Sequence, residues 1–375
     1  MRTGERATRG RLAALDVARG LMLVVSVTVN AWYAAPTWFA HAPWLGVHPV
    51  DLVFPAFVTL SGAGLGILYA RGVRPLREAR RVVVLLAAGL AYSAMAQYLV
   101  SGAVDVATLR LTGVLQLYAV VVCVVALVST VATSWWRWLV AAGVLAVTQM
   151  WLLLGSAARC PAGLTPECNP SRDLDLVWLG VHAYAGGRLG HDPEGLVAIL
   201  GALVSAMVGA AAGRLLRDRR DTAHFLWGGT IILAACLVMT AVTSAVVPAF
   251  KRLWTAPFAL GVAAAVVLIL LALYLLLDTR EVGRVESAGR FPLIALGRNS
   301  LLVYFGSHVV MEALVLRGPH GSARGDAPSW ADLGAAALAD AVGMPGSPWP
   351  FCVAAVVAWT LLAALLHRCG VYVKA

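Results

Sequence analysis

Trp254-Thr-Ala-Pro-Phe-Ala-Leu-Gly-Val-Ala-Ala-Ala-Val-Val-Leu-Ile-Leu-Leu-Ala-Leu-Tyr-Leu-Leu-Leu277 runs for 24 residues without one charged side chain. A helix of about 20 such residues matches the hydrocarbon thickness of a bilayer, where every backbone polar group must bond within its own segment. Lys251 and Arg252 precede the run, and Asp278 and Arg280 follow it. The same alternation of apolar run and short polar break repeats along all 375 residues, giving 60% hydrophobic and 13% charged residues and a mean hydropathy of +0.81. Soluble domains are about 45–50% apolar and about 25% charged. The expected fold is therefore an all-α polytopic membrane protein, and an ordinary soluble globule is excluded.

Spans are expected near 12–32, 49–70, 80–100, 109–130, 136–155, 195–216, 224–247, 254–277, 292–315 and 349–367, ten in all, with nine or eleven as alternatives. The apolar stretch 330–342 is too short to cross and reads as an interfacial or re-entrant helix. No cleavable leader is expected, because the first ten residues are polar and the run after Leu12 is long enough to span and stay. The whole chain, 1–375, reads as one transmembrane domain.

The net charge of +10 (29 basic minus 19 acidic residues) sets topology in such a chain and does not argue for nucleic acid. On the side holding both termini lie 20 basic residues: Arg2, Arg6, Arg9, Arg11, Arg71, Arg74, Arg77, Arg80, Arg81, Arg137, Arg214, Arg217, Arg219, Arg220, Arg280, Arg284, Arg290, Arg298, Arg368 and Lys374. The other side holds eight: Arg110, Arg159, Arg172, Arg188, Lys251, Arg252, Arg317 and Arg324. Both termini are accordingly expected in the cytoplasm. The outer loops 33–48, 156–193 and 317–348 are longer and carry Gly, Pro, His and Trp, and such loops tend to hold sites. No internal repeat stands out, which argues against an inverted-repeat transporter.

Cys123, Cys236 and Cys352 fall within spans and Cys369 at an inner end, whereas Cys160 and Cys168 share one outer loop. An oxidising exterior favours a disulfide between these two. Metal ligation is the rival reading, weakened by the lack of CxxC spacing or a neighbouring histidine. No metal is expected.

Candidate chemistry begins in the first span, where Asp16 and Arg19 are spaced to share a helix face and pair. Such a pair either locks the helix or meets a substrate. Asn30 follows near the outer end, and then the loop Trp38-Phe-Ala-His41-Ala-Pro-Trp44-Leu-Gly46-Val-His48-Pro49, before Asp51 opens the second span. A histidine takes and returns protons near neutrality, and a carboxylate can fix its tautomer. The alternative is an interfacial His41 and an Asp51 that merely caps a helix.

The blocks Arg11–Gly20, Val29-Asn30, His41-Ala-Pro-Trp44-Leu-Gly46 and Asp51-Leu-Val-Phe-Pro55 resemble the catalytic domain of the heparan-α-glucosaminide N-acetyltransferase family, within the transmembrane acyltransferases. The resemblance continues in order through Arg110-Leu-Thr-Gly113-Val-Leu-Gln116, Cys160-Pro-Ala-Gly163, Cys168-Asn169, Asp192-Pro-Glu194-Gly195, Lys251-Arg-Leu-Trp254 and Gly297-Arg298-Asn299-Ser300-Leu-Leu-Val-Tyr304. It implies a membrane enzyme that moves acetyl from cytoplasmic acetyl-CoA to the amino group of an amino sugar. The family's catalytic histidine and nearby asparagine fall on His41 and Asn30. In this reading His41 is the base or an acyl carrier, Asp51 its orienter and Asn30 a donor.

A channel for the anionic cofactor is expected from Arg19, Arg110, Gln116, Arg298, Asn299 and Tyr304. Acceptor contacts are expected from Asp16, Trp44, Glu194, Lys251 and His308. Structural readings compete at several of these. Asp192-Pro193-Glu194 suits a helix start. Lys251, one of two lysines, suits either a bound anion or a snorkelling cation. Asn299 and Tyr304 suit interhelical bonds. The sequence departs from the family's usual residues at Ala18, Pro43 and Leu45, and the last two adjoin the expected base, which leaves the acceptor open. The arginine bias fits a GC-rich bacterium and its cytoplasmic membrane. The family suggests a homodimer. Rival functions are O-acyl transfer to a surface glycan or secondary metabolite, and transport of a sugar or lipid-linked sugar without catalysis.

Overall fold

The structure is a computed structural model that describes residues 12–218, 222–279, 284–319, 321–322 and 327–373. Arg2, Arg6, Arg9, Arg11, Arg219, Arg220, Arg280, Arg324 and Lys374 of the charge count, and the loop histidine His320, lie outside the described residues. Thirteen helices are described: α1 (Ala13–Ala31), α2 (Val53–Tyr69), α3 (Pro75–Ser101), α4 (Val114–Ser129), α5 (Trp135–Ala157), α6 (Pro170–Leu179), α7 (Leu196–Asp218), α8 (Thr222–Ser244), α9 (Ala256–Leu277), α10 (Arg284–Arg298), α11 (Ser300–Leu316), α12 (Trp330–Ala341) and α13 (Trp349–Arg368). A two-residue ribbon, Arg317–Gly318 against Gly321–Ser322, is the sheet among the described residues.

Each of the ten expected stretches is helical, and eight helices among the described residues are long and apolar enough to cross a membrane. Two stretches differ from expectation. The fourth helix starts at Val114 and has 16 residues, because Gly113 lies in extended backbone and the segment before it turns away into the site. The expected span 292–315 is broken: α10 and α11 meet at a 76° bend. Asn299 forms the break at φ −107°, ψ 27°, and its amide donates to the carbonyls of Ala295 and Ala363, replacing the helical continuity lost there. Counting that pair as one span gives nine among the described residues, one short of the expected ten, because α4 is a shorter apolar helix. The stretch 330–342 is the short helix α12, started by Ser329, whose hydroxyl accepts from Asp332 N.

Close helix approach comes from small residues, as expected where lipid removes the hydrophobic drive between helices. Gly62 and Gly66 of α2 lie directly on the backbone of Ala206 and Ala210, while Gly209 and Gly213 of α7 lie on Thr59 and Ala63. Gly20 of α1 and Gly297 of α10 make a second such contact, on Leu293 and Asp16. Helix α7 is therefore the bundle's centre, with most of its residues buried. Helices α3, α5, α8 and α13 turn apolar side chains such as Val83, Trp151, Val238 and Leu361 outward.

The connections segregate to two ends. At one, Tyr33 bonds Asp332, Trp44 donates to Leu164 O, and Arg252 donates to Ala42 O. At the other, the backbone amides of Ala13 and Ala14 donate to the carboxylate of Asp278, and Arg298 stacks over Tyr372. The first is the loop-rich end, and the second carries Arg71, Arg74, Arg77, Arg80 and Arg81 at the α2–α3 turn.

Candidate functional site

Asp51 sits in the 3-10 turn Pro49–Leu52 that leads into α2, with its side chain fully buried. Its Oδ2 accepts from His48 N at 2.9 Å and Ala42 N at 3.3 Å, and its Oδ1 meets His41 Nδ1 at 2.6 Å. An ionised carboxylate only accepts, so Nδ1 carries the hydrogen and His41 Nε2 is left with a free lone pair. One oxygen of the carboxylate thus caps the turn and the other bonds the His41 ring. His41 itself is half-exposed.

The loop bearing His41 is held from the opposite side by the 250–254 turn. Arg252 Nε donates to Ala42 O at 3.0 Å. Buried Gln149 clamps that turn by donating to the carbonyls of Val197, Leu253 and Trp254. Trp254 adopts φ 46°, the left-handed region, which closes the turn and seats its ring beside Phe54. Lys251 is carried inward, 9% exposed, and burial pulls its ammonium below the usual lysine range against the carboxylates of Glu194 and Asp51.

A cavity of about 950 Å³ opens from the loop-rich end. His41, Asp51, Asn30, Lys251, Glu194 and Arg110 all line it, as do Gln116, Tyr304 and His308. Arg110 bridges Glu194 and Asp192, reaching Asp192 at 3.6 Å, and stacks over Tyr184. Asn30 donates to Ser307 at 3.5 Å, and His308 Nδ1 lies 2.8 Å from Tyr304 O. Gln116 Nε2 is buried with no hydrogen-bond partner among the described residues.

A second cavity, of about 430 Å³, lies toward the arginine-rich end. Asp16, Arg19, Arg77, Arg81 and Arg298 line it, with Glu78 and Tyr118. Leu115 and Tyr304 line both cavities, so these two side chains form the partition between them. The expected cofactor channel is therefore divided: Arg19 and Arg298 on one side, Arg110 and Gln116 on the other, Tyr304 between.

Two expected site residues face neither cavity. Asn299 is fully buried on backbone carbonyls at the α10–α11 break. Trp44 donates to Leu164 O and packs on His191 and Phe250, bracing the loop under His41. Burial lowers the pKa of His191 beneath that ring. Cys160 and Cys168 are disulfide-bonded with Cα atoms 5.8 Å apart, beside the Asn169 cap of α6.

Sequence reasoning missed Arg77 and Arg81, which it had counted only toward topology, and Tyr92 and Glu312, which also line the larger cavity. Glu312 had a usable signal, a carboxylate in an apolar helix. Leu115 had none.

Comparison with known proteins returns the same family. The model of the heparan-alpha-glucosaminide N-acetyltransferase catalytic region matches residues 11–190. The mouse heparan-alpha-glucosaminide N-acetyltransferase is 26% identical over 368 residues, covering 82% of this chain and 54% of its own length. The human protein of that name is 26% identical over 360 residues, covering 80% and 53%. The chain spans about half the length of these curated relatives. Residues 11–190, which hold His41, Asp51, Arg110 and Gln116 together, are thus the part of the chain that is similar to the heparan-alpha-glucosaminide N-acetyltransferase catalytic region.

Proposed function

We propose that this protein transfers acetyl from acetyl-CoA to the amino group of an amino sugar across a membrane, with the arginine-rich end in the cytoplasm. One observation carries the reading: two cavities of opposite character meet back to back at Tyr304 and Leu115. The smaller one presents Arg19, Arg77, Arg81 and Arg298, a donor set suited to the phosphates of a coenzyme. The larger one presents the His41–Asp51 pair. Acetyl-CoA binds with its nucleotide among the arginines and its pantetheine arm displacing the Tyr304 ring. The acetyl group then lies in the larger cavity.

The ammonium first loses one proton to solvent, and His41 Nε2 then takes a proton from the neutral amine as it attacks. The C–N bond forms at the thioester carbon, the C–S bond breaks, and the departing thiolate receives the proton from His41. The carbonyl oxygen that becomes anionic needs donors, and Gln116 Nε2 is an unengaged amide hydrogen source on the cavity wall, with Asn30 as a second. The partition keeps water from the thioester until the arm enters. A direct transfer of this kind needs no acetyl-histidine. The protein is a multi-pass membrane protein on this reading, and its arginine bias fits a bacterial cytoplasmic membrane.

The test is acetyl-CoA consumption by detergent-purified protein with glucosamine as acceptor, comparing wild type with His41→Ala. Turnover that requires the amine and falls at least a hundredfold in the variant supports the reading. Turnover unchanged in the variant refutes His41 as base. Turnover with hydroxyl acceptors alone replaces the amine by an alcohol, and coenzyme that fails to bind sinks the enzyme.

A further inference from the structure

Helix α11 places Tyr304, His308 and Glu312 at successive i, i+4 positions, and all three line the larger cavity. Eight residues of helix rise about 12 Å, so Glu312 stands that far from the partition, toward the loop-rich mouth. The Tyr92 phenol, from α3, donates to the Glu312 carboxylate. No cation lies within ion-pair distance of Glu312 among the described residues. The other cavity carboxylates are committed: Glu194 to Arg110, and Asp51 to His41 and two backbone amides. Lys251 lies with Glu194 and Asp51.

A carboxylate drawn into a cavity between apolar helices costs free energy unless a cation or several donors meet it. One phenol supplies a single hydrogen, which leaves most of the acceptor capacity of Glu312 open to the cavity.

We propose that Glu312 is the entry subsite for the acceptor, receiving the ammonium of a cationic amino sugar before it moves inward to His41. This rests on the acetyltransferase reading above and sharpens it: the site selects a protonated amine over a neutral hydroxyl sugar of the same shape. A purely structural Glu312, tying α11 to α3 through Tyr92, would instead affect both sugars alike.

The experiment uses the full chain in detergent; its binding arm needs no acetyl donor, and its turnover arm uses acetyl-CoA. Calorimetric binding of glucosamine and of glucose is measured for wild type and for Glu312→Gln, which keeps an acceptor for the Tyr92 phenol and removes the charge. Wild type is expected to bind glucosamine more tightly than glucose. The variant is expected to lose about tenfold in glucosamine affinity, to leave glucose unchanged, and to raise KM for glucosamine in turnover at near-constant kcat. Equal losses for both sugars, or none, overturn the subsite while amine-dependent turnover in wild type keeps the acetyltransferase standing. A wild type that acetylates no amine overturns both. Added salt provides an independent check: it should weaken glucosamine binding to wild type more than to the variant.

Discussion

Replacing Asp51 by Asn tests the centre of the site most sharply, because the side chain makes three bonds and only one of its two oxygens survives. In one orientation the amide oxygen faces His41 and the new NH2 faces the amides of His48 and Ala42, setting donors against donors where the carboxylate accepted at 2.9 and 3.3 Å. Each such unmatched buried donor costs about 1–3 kcal/mol. The flipped orientation keeps both backbone bonds and turns the NH2 toward His41 Nδ1. That orientation wins by a few kcal/mol, and it forces the imidazole to accept at Nδ1 and carry its hydrogen on Nε2. A histidine so protonated cannot take a proton from the acceptor amine. General-base catalysis contributes about 10²–10⁴-fold, so Asp51→Asn should lose that much in kcat, or about 3–5 kcal/mol of barrier at 1.36 kcal/mol per tenfold. Binding of coenzyme should be unchanged, since the arginines lie beyond the partition. Thiol release from acetyl-CoA measures the rate, and thermal unfolding in detergent monitors the fold. A variant that keeps its melting temperature and turns over within threefold of wild type would refute the role given to the pair.

Four further outcomes follow from the same geometry. Removing Arg81 or Arg298 should raise KM for acetyl-CoA and leave KM for the acceptor unmoved, as initial-rate kinetics with each substrate varied will reveal. Cutting Tyr304 back to Ala should join the cavities, so that acetyl-CoA is hydrolysed without acceptor faster than in wild type. If amine-independent hydrolysis stays at the wild-type level, the partition lies elsewhere. Lys251 titrates below the ordinary lysine range because it is buried. The unfolded chain therefore binds the proton more readily, and stability should rise with pH between the depressed folded value and about 10.5. Lys251→Met, which abolishes the titration, should flatten that rise in a pH series of melting temperatures. Finally, Gly209→Val or Gly213→Val should drive α7 off α2, since a side chain there meets the backbone of Thr59 or Ala63, at a cost of at least about 1–3 kcal/mol in thermal or denaturant unfolding.

How much of this could be read from the chain itself depends on the kind of force involved. Spans were legible because hydrophobic length is a one-dimensional property: 254–277 is helical as α9 almost to the residue. The His41–Asp51 pair was legible because its partners are ten residues apart on one loop and one helix start. Residues whose role comes from three-dimensional proximity were not. Leu115 looks like any apolar helix residue, and only the meeting of α4 with α11 makes it a wall. Asn299, a polar residue in an expected span, was read either as lining the cofactor channel or as bonding between helices, and its amide makes the interhelical bond. A helix break at that position turns consecutive residues to different surroundings, so Arg298 lines the smaller cavity while the Asn299 amide satisfies carbonyls on α10 and α13. Arg77 and Arg81 show a third limit. Positive charge near a span end serves topology in every membrane protein, so its second use at a cavity is hidden beneath the first.

The divided cavity also explains why the fold spends a broken helix where an unbroken one would be more stable. A coenzyme's phosphates cannot enter the hydrocarbon region at tolerable cost, whereas an uncharged acetyl-pantetheine arm can. On the proposed acetyl transfer, the task reduces to bringing two cavities close enough for a thin arm to bridge them. The 76° bend at Asn299 swings α10 away from the line of α11 and against α1 through Gly20 and Gly297, which leaves Arg298 beside the smaller cavity and Tyr304 at the partition. Straightening that break is consequently a test of the whole arrangement. Asn299→Leu removes the amide that satisfies Ala295 O and Ala363 O and fits a continuous helix better by propensity. The expected result is a folded protein that has lost coenzyme binding and turnover together. A variant that binds acetyl-CoA as wild type does would separate the bend from the site and leave the broken helix without a functional reason.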